Sequence, residues 1–290
     1  MARRTAKRSD KSYLPGAGPV MLIGGAEDKF KSKTILARFA SLAGGSEAHV
    51  VVVSTASSLG DKATEMYGEL FGGLGVGRVT GLRPLDREQA EEPEVVAELA
   101  DATGVFLTGG NQLRLSSVVG GTKLGAALFL AHDRGTVIAG TSAGASAIAA
   151  HMLAFGRSGE TPKNRMAQLS AGLGILHQVV VDQHFEQRAR LGRLLAVVAQ
   201  SPSLIGLGLD EDTCAIVYND QTLEVLGRGA VTIVDGSHVR TDAFEGKAYR
   251  PLMVSGVVLH SLPSGYWFDL RARTLLPGGG ARREEREASE

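Results

Sequence analysis

The chain of 290 residues is 43% hydrophobic and 21% charged, enough apolar mass to bury a sizeable core, which excludes intrinsic disorder for the body of the protein. Lysine plus arginine and aspartate plus glutamate balance at 31 each, so no global field draws nucleic acid or an acidic membrane, and any recognition of charge must be local. A single cysteine, Cys214, excludes an internal disulfide framework, and no run of about 18 apolar residues is present to form a transmembrane helix.

Residues 1–18 are basic, lack the apolar stretch of a secretory signal, and are expected to be a solvated tail on a cytoplasmic protein. Residues 19–276 are expected to form one α/β domain. Within it, short apolar runs at 20–23, 50–53, 105–107, 137–139, 179–181 and 204–209 alternate with helix-period segments at 31–42, 93–101, 124–132, 143–152 and 186–200. Continuous runs of this kind suit strands buried on both faces. They predict a mostly parallel, doubly wound sheet with helices on either side. After Asp210 the runs at 214–218, 222–227 and 230–234 are separated by the turn pairs Asn219-Asp220 and Asp235-Gly236, which predicts antiparallel strands, extended by 254–259. From Pro277 a triple glycine and a dense charge run predict a disordered tail to residue 290.

The segment Gly140-Thr141-Ser142-Ala143-Gly144 follows the run at 137–139 and opens an alanine-rich helix, the strand-turn-helix setting of a G-x-S-x-G nucleophile elbow. Ser142 is therefore the candidate nucleophile, with the amide of Ala143 as an oxyanion donor at the helix start. A neutral hydroxyl needs a base. His184 is the candidate, because the strand at 179–181 delivers Asp182-Gln183-His184 at its carboxyl end, where chemistry gathers in open α/β sheets. The run at 204–209 ends in Asp210-Glu211-Asp212, and one of these carboxylates is expected to orient the imidazole; spacing does not choose among them. Gly109-Gly110 ends the strand at 105–107 and leads into Asn111-Gln112, which makes the Gly110 amide a candidate second oxyanion donor. Gly24-Gly25-Ala26-Glu27-Asp28 has a similar form but lacks the third glycine of a dinucleotide fingerprint. No H-E-x-x-H motif or cysteine cluster occurs, so neither a metal nor a cofactor is expected.

Taken in order across about residues 19–270, Ile23-Gly24-Gly25-Ala26-Glu27-Asp28, Leu107-Thr108-Gly109-Gly110-Asn111-Gln112, the elbow and Asp182-Gln183-His184-Phe185 resemble the serine peptidase family that contains dipeptidase E and the cyanophycinases. The arginine-bearing run from Asp182 to Leu194 looks most like the cyanophycinase branch. The resemblance implies a flavodoxin-like fold related to class I glutamine amidotransferases, with serine in place of their cysteine. It implies hydrolysis of the polymer cyanophycin, multi-L-arginyl-poly-L-aspartate, to β-aspartyl-arginine dipeptides by a Ser142-His184-Glu211 triad, in a homodimer and without a cofactor. It also implies that Gln112, Asp182, Gln183, Arg188, Arg190 and Arg193 line the substrate groove, with Glu160 and Asn164 near them. On charge grounds the three arginines suit carboxylates of the substrate, and acids such as Asp182 suit its guanidinium groups. Two other readings carry the same residues: a dipeptidase with this triad and a different pocket, and a catalytically silent amidotransferase-like binding module.

Overall fold

The computed structural model describes residues 16–245 and 248–277. The tails expected at 1–18 and 277–290 therefore lie outside the described residues, except at their inner ends. There Ala17 is buried and the Gly18 N–H donates to the His132 carbonyl at 2.9 Å, so these two residues pack against the body of the protein.

The first half of the chain alternates strand and helix. It runs β1 (Val20–Ile23), α1 (Thr34–Leu42), β2 (His49–Val53), α2 (Asp61–Gly73), β3 (Arg78–Leu82), α3 (Pro93–Ala97), β4 (Gly104–Leu107), α4 (Gln112–Val119), α5 (Lys123–Asp133), β5 (Val137–Thr141) and α6 (Ala143–Ile148). β1, β5, β4, β2 and β3 lie side by side in that order and pair in parallel. Because side chains alternate across a strand, β1 sends Met21 and Ile23 to one face and Val20 and Leu22 to the other. The first face packs against Leu36 and Phe39 of α1 and Tyr67 and Phe71 of α2, with the Phe39 and Phe106 rings edge to face at 5.5 Å. The second packs against α4, α5 and α6. A parallel core covered on both sides is the expected class, and it carries the elbow at the carboxyl end of β5.

Then come β6 (His151–Gly156), β7 (Ala167–Ala171), β8 (Val179–Gln183), α7 (Leu191–Gln200), β9 (Ile205–Leu209), β10 (Thr213–Val217), β11 (Thr222–Gly227) and β12 (Ala230–Asp235). β13 (Arg240–Thr241), β14 (Val254–Ser255), β15 (Val258–Pro263), β16 (Trp267–Asp269) and β17 (Thr274–Leu276) complete the described fold. β10, β11, β16 and β17 extend the parallel core on the far side of β1 as antiparallel strands, giving a nine-stranded sheet. β8 and β9 pair in parallel in a separate sheet, ordered β15-β12-β9-β8, whose apolar residues share the core under α4 to α6. The sequence pattern reads β8 and β9 as core strands, which they are. It does not distinguish one sheet from two, since either arrangement buries both faces.

Four of the expected helices are shorter than their segments: α1 begins at Thr34 rather than residue 31, α3 ends at Ala97 rather than residue 101, and two others are cut for identifiable reasons. The segment at 143–152 is helical only to Ile148, because the Ala150 N–H is captured by the Leu176 carbonyl at 2.7 Å and the chain leaves as β6, paired with β7. The segment at 186–200 is broken at Ala189, which adopts φ 46° between a short 3-10 turn (Glu186–Arg188) and α7. Among the described residues no single helix is long and apolar enough to cross a membrane; only the α4 and α5 pair, bent by 96°, has that length and composition together.

Candidate active site

At the end of β5 the chain turns through Ser142 with φ 51° and ψ −110°. Such a turn needs bare backbone on both sides. A Cβ on Gly140 would lie 2.5 Å from the Gly144 carbonyl carbon, and one on Gly144 would lie 2.3 Å from the Leu107 oxygen. Ser142 stands at the N-cap of α6, yet its hydroxyl caps none of the helix N–H groups. The Oγ is instead 2.9 Å from His184 Nε2 and 3.3 Å from Gln183 Oε1.

His184 and Glu211 arrive from β8 and β9, whose parallel register sets Gln183 beside Leu209, so the next residues of both strands leave the sheet together. The His184 Nδ1–H donates to Glu211 Oε1 at 2.6 Å. This pairing keeps the proton on Nδ1 and leaves Nε2 to accept from the Ser142 hydroxyl. The neighbouring carboxylates are engaged elsewhere: Asp210 accepts the N–H groups of Glu186 and Ala230 at 3.1 and 3.0 Å, and Asp212 accepts the Asp28 N–H at 2.8 Å. Geometry thus separates three acids that spacing leaves equivalent. Ser142 comes from the nine-stranded sheet and its two partners from the four-stranded one, so the constellation sits where the sheets meet rather than along a single rim.

The turn carrying Gly109 and Gly110 lies against Ser142: a Cβ on Gly109 would be 3.4 Å from Ser142 Cβ. Ala143, the first residue of α6, is on the opposite side in sequence and fully buried. Gln112 opens α4 and spends its amide Nε2 on the Ala154 carbonyl at 2.7 Å, bracing β6.

The arginine run is organised differently from the charge argument. Arg188 is exposed in the 3-10 turn, whereas Arg190 and Arg193 are only 7% and 4% exposed and converge on Asp182, itself 1% exposed. Arg193 Nε donates to Asp182 Oδ2 at 2.6 Å and its Nη2 to Oδ1, while Arg190 Nη1 reaches Oδ1 at 3.3 Å and the Gln183 carbonyl. Asp182 is therefore the internal counter-ion of two arginines, not a carboxylate offered to substrate. Glu160, with Phe185, Glu186, Arg190 and Asp210, borders a cleft beside the arginine run, and Asn164 is buried with its N–H on the Arg250 carbonyl at 2.8 Å.

The profile of peptidase family S51 matches residues 20–226. The chain belongs to peptidase family S51. It is 42% identical over 261 residues to the cyanophycinase of Nostoc sp. (strain PCC 7120), covering 89% of this chain and 87% of that protein. It is 37% identical over 270 residues to the cyanophycinase of Geminocystis herdmanii, covering 92% and 98%. Among solved structures, a peptidase from an acI-B1 Actinobacterium superposes with a TM-score of 0.62 at 23% identity, covering 84% of this chain and 97% of that one. A putative peptidase E protein from Listeria monocytogenes EGD-e gives 0.51 at 14% identity, covering 73% and 98%. These two structures speak to the fold alone.

In this S51 peptidase the electrostatics around His184 have a definite sign. Burial first, then the cations Arg188 and Arg190, push the imidazole below its ordinary 6.5, and the hydrogen bond to Glu211 opposes them. A base works only when neutral, and a lowered pKa keeps it neutral further into acid. The acid limb of the kcat/KM profile is therefore expected to have its midpoint below 6.5. Arg188→Ala, which removes one of the repelling cations, should move that midpoint upward; a midpoint above the ordinary histidine value, or a downward shift in the variant, contradicts this account.

Arg190 is pushed down to about 10, chiefly by burial, and remains a cation at neutral pH. Removing its counter-ion is therefore costly. Asp182→Asn leaves two buried guanidinium groups without a balancing charge and is expected to destabilise the fold by about 3–5 kcal/mol in urea titrations. Arg188→Ala, at an exposed position, should stay within about 0.5 kcal/mol of the parent. Equal small effects for both would mean that the cluster carries no structural weight.

Glu27, Thr141 and Tyr67, which are not candidate site residues by sequence, form a buried hydrogen-bonded group directly behind the elbow. The signal for Glu27 was its place in the glycine-rich turn after β1.

Proposed function

We propose that the protein is a cyanophycinase that acts through Ser142, His184 and Glu211. The observation that carries this reading is the Ser142-His184-Glu211 hydrogen-bonded chain in a protein 42% identical to cyanophycinases over most of its length. β-Aspartyl-arginine keeps the link between the aspartate β-carboxyl and arginine, so the bond that is cut is the backbone amide between successive aspartates. Ser142 Oγ attacks that carbonyl carbon as His184 Nε2 takes the hydroxyl proton, and Glu211 stabilises the resulting imidazolium. The Gly110 and Ala143 amides hold the oxyanion. His184 then protonates the departing amine, and a water repeats the cycle to release the acyl group and regenerate Ser142.

Each repeat of the polymer carries one guanidinium and one free carboxylate, both on arginine. The carboxylate is taken by the cationic run, with the exposed Arg188 as the contact and Arg190 and Arg193 as a fixed positive field behind it. Gln112 and Gln183 shape the groove next to the nucleophile. With Asp182 committed to the arginines, the exposed Glu160 and Glu186 at the adjacent cleft are the acids for the guanidinium. As a cyanophycinase the protein works in the cytoplasm as a homodimer, to be checked by fractionation and sedimentation velocity. Substrate choice tests the main reading: pure protein is incubated with cyanophycin and, separately, with α-linked Asp-X dipeptides. Soluble β-aspartyl-arginine from the first and little turnover of the second are expected. The reverse pattern assigns the protein to the dipeptidase branch.

A further inference from the structure

Three residues at the site adopt the left-handed backbone that side chains rarely take: Ser142 at φ 51°, His184 at φ 47° and Asp212, next to Glu211, at φ 50°. Such conformations persist where the surroundings over-determine them. Here the determinant is a single stretch of chain. The Ser142 N–H donates to the Ile23 carbonyl, the His184 N–H to the Gly24 carbonyl and the Asp212 N–H to the Gly25 carbonyl, each at 2.9 Å. Three successive peptide units at the end of β1 thus receive the three segments that carry the nucleophile, the base and the acid. The approach is close enough to forbid a side chain: a Cβ on Gly25, where φ is 97°, would lie 2.4 Å from His184 Cε1.

The far end of this stretch is locked by Glu27, which is 4% exposed. Its Oε2 accepts the Thr141 hydroxyl at 2.6 Å, and its Oε1 accepts the Tyr67 hydroxyl at 2.5 Å and Lys29 Nζ at 2.6 Å. Thr141 is the residue immediately before the nucleophile. On the other side, the Asp28 N–H on Asp212 ties the same turn to the residue that follows Glu211. We infer that residues 23–27 are the template on which the triad is registered, and that Glu27 is the positioning residue that fixes Ser142 through Thr141. Burial of the Tyr67 phenol beside Glu27 raises its pKa above the ordinary tyrosine range, so it remains a donor to the carboxylate at working pH.

This inference rests on Ser142 and His184 being nucleophile and base, and the test separates the two claims. Parent, Glu27→Gln, Thr141→Val, Thr141→Ser and the Glu27→Gln/Thr141→Val double variant are compared for the rate of fluorophosphonate labelling at Ser142, for kcat and KM on cyanophycin, and for thermal midpoint. Small displacements of a reacting group cost about 10²-fold in rate. Glu27→Gln and Thr141→Val should therefore each lower kcat and labelling by about tenfold to a hundredfold with KM within about twofold. The double variant should be little worse than the poorer single one, since both cut the same link. Thr141→Ser, which keeps the hydroxyl, should restore the parent rate. If the parent itself fails to label at Ser142, the triad assignment falls and this inference with it. If the parent labels but Glu27→Gln and Thr141→Val keep its kcat and labelling rate, whatever their thermal midpoints, only the positioning role is overturned. A rise in KM with unchanged kcat, or additive losses in the double variant, likewise overturns it.

Discussion

Ser142→Ala is expected to remove hydrolysis of cyanophycin while leaving the fold in place. The elbow is built by its flanking glycines and by backbone hydrogen bonds, namely the Ser142 N–H to the Ile23 carbonyl and the Ser146 N–H to the Ser142 carbonyl. Neither uses the hydroxyl, and the hydroxyl caps nothing in α6, so alanine fits the same turn. What is lost is the atom that forms the acyl-enzyme in the proposed mechanism. His184→Ala should cost almost as much, because a serine without its base is a neutral alcohol. In hydrolases with such triads either loss costs about 10⁶-fold in kcat, and losses within the unit do not add. Turnover is measured by release of soluble dipeptide, with circular dichroism and thermal midpoint to confirm folding. A Ser142→Ala protein within about tenfold of the parent contradicts the mechanism.

Glu211→Gln is the second large effect. The amide can still sit against the imidazole, but it brings no charge to stabilise imidazolium, and presenting its NH2 to Nδ1 would favour the wrong tautomer. The corresponding acid-to-amide change in serine proteases costs about 10⁴-fold in kcat with geometry intact. Glu211 is partly exposed, its side chain retaining 38% of its accessible surface, so some water screening reduces the loss, and about 10²- to 10⁴-fold is expected. The neighbouring acids provide the contrast. Asp210→Asn and Asp212→Asn should alter stability more than chemistry, since those carboxylates accept backbone N–H groups of Glu186, Ala230 and Asp28 rather than the imidazole. If either of them loses activity while Glu211→Gln keeps it, the wrong carboxylate has been assigned.

The parts of the fold legible in the sequence were those with one strong local cause. The run at 179–181 and that at 204–209 are apolar and β-branched or glycine-bearing, and they form β8 and β9. β3 escaped because it is an edge strand whose exposed positions carry Arg78 and Gly81, so no continuous apolar signal remains. α2 escaped because glycines and acids interrupt its apolar face at Gly68, Gly72 and Gly73. The early end of α6 is a tertiary effect, the pull of the Leu176 carbonyl on Ala150, and the sequence at 149–152 continues to look helical.

The site divides in the same way. Ser142 and His184 were legible because each follows a strong strand at its carboxyl end. Glu211 was not separable from Asp210 and Asp212, because which acid faces inward depends on the positive φ at Asp212 and on its bond to Gly25. The pairing of Asp182 with Arg190 and Arg193 was invisible for a related reason. Only the reversal at Ala189, with φ 46° and neither glycine nor proline to announce it, folds the start of α7 back over the end of β8.

Peptide mapping of the fluorophosphonate-treated protein, with and without cyanophycin, tests most directly whether nucleophile and polymer share one site. A single adduct on the peptide carrying Ser142, absent in His184→Ala and slowed in proportion to added cyanophycin, is the predicted result. An adduct elsewhere, no adduct, or labelling of Ser142 at a rate indifferent to cyanophycin would contradict it.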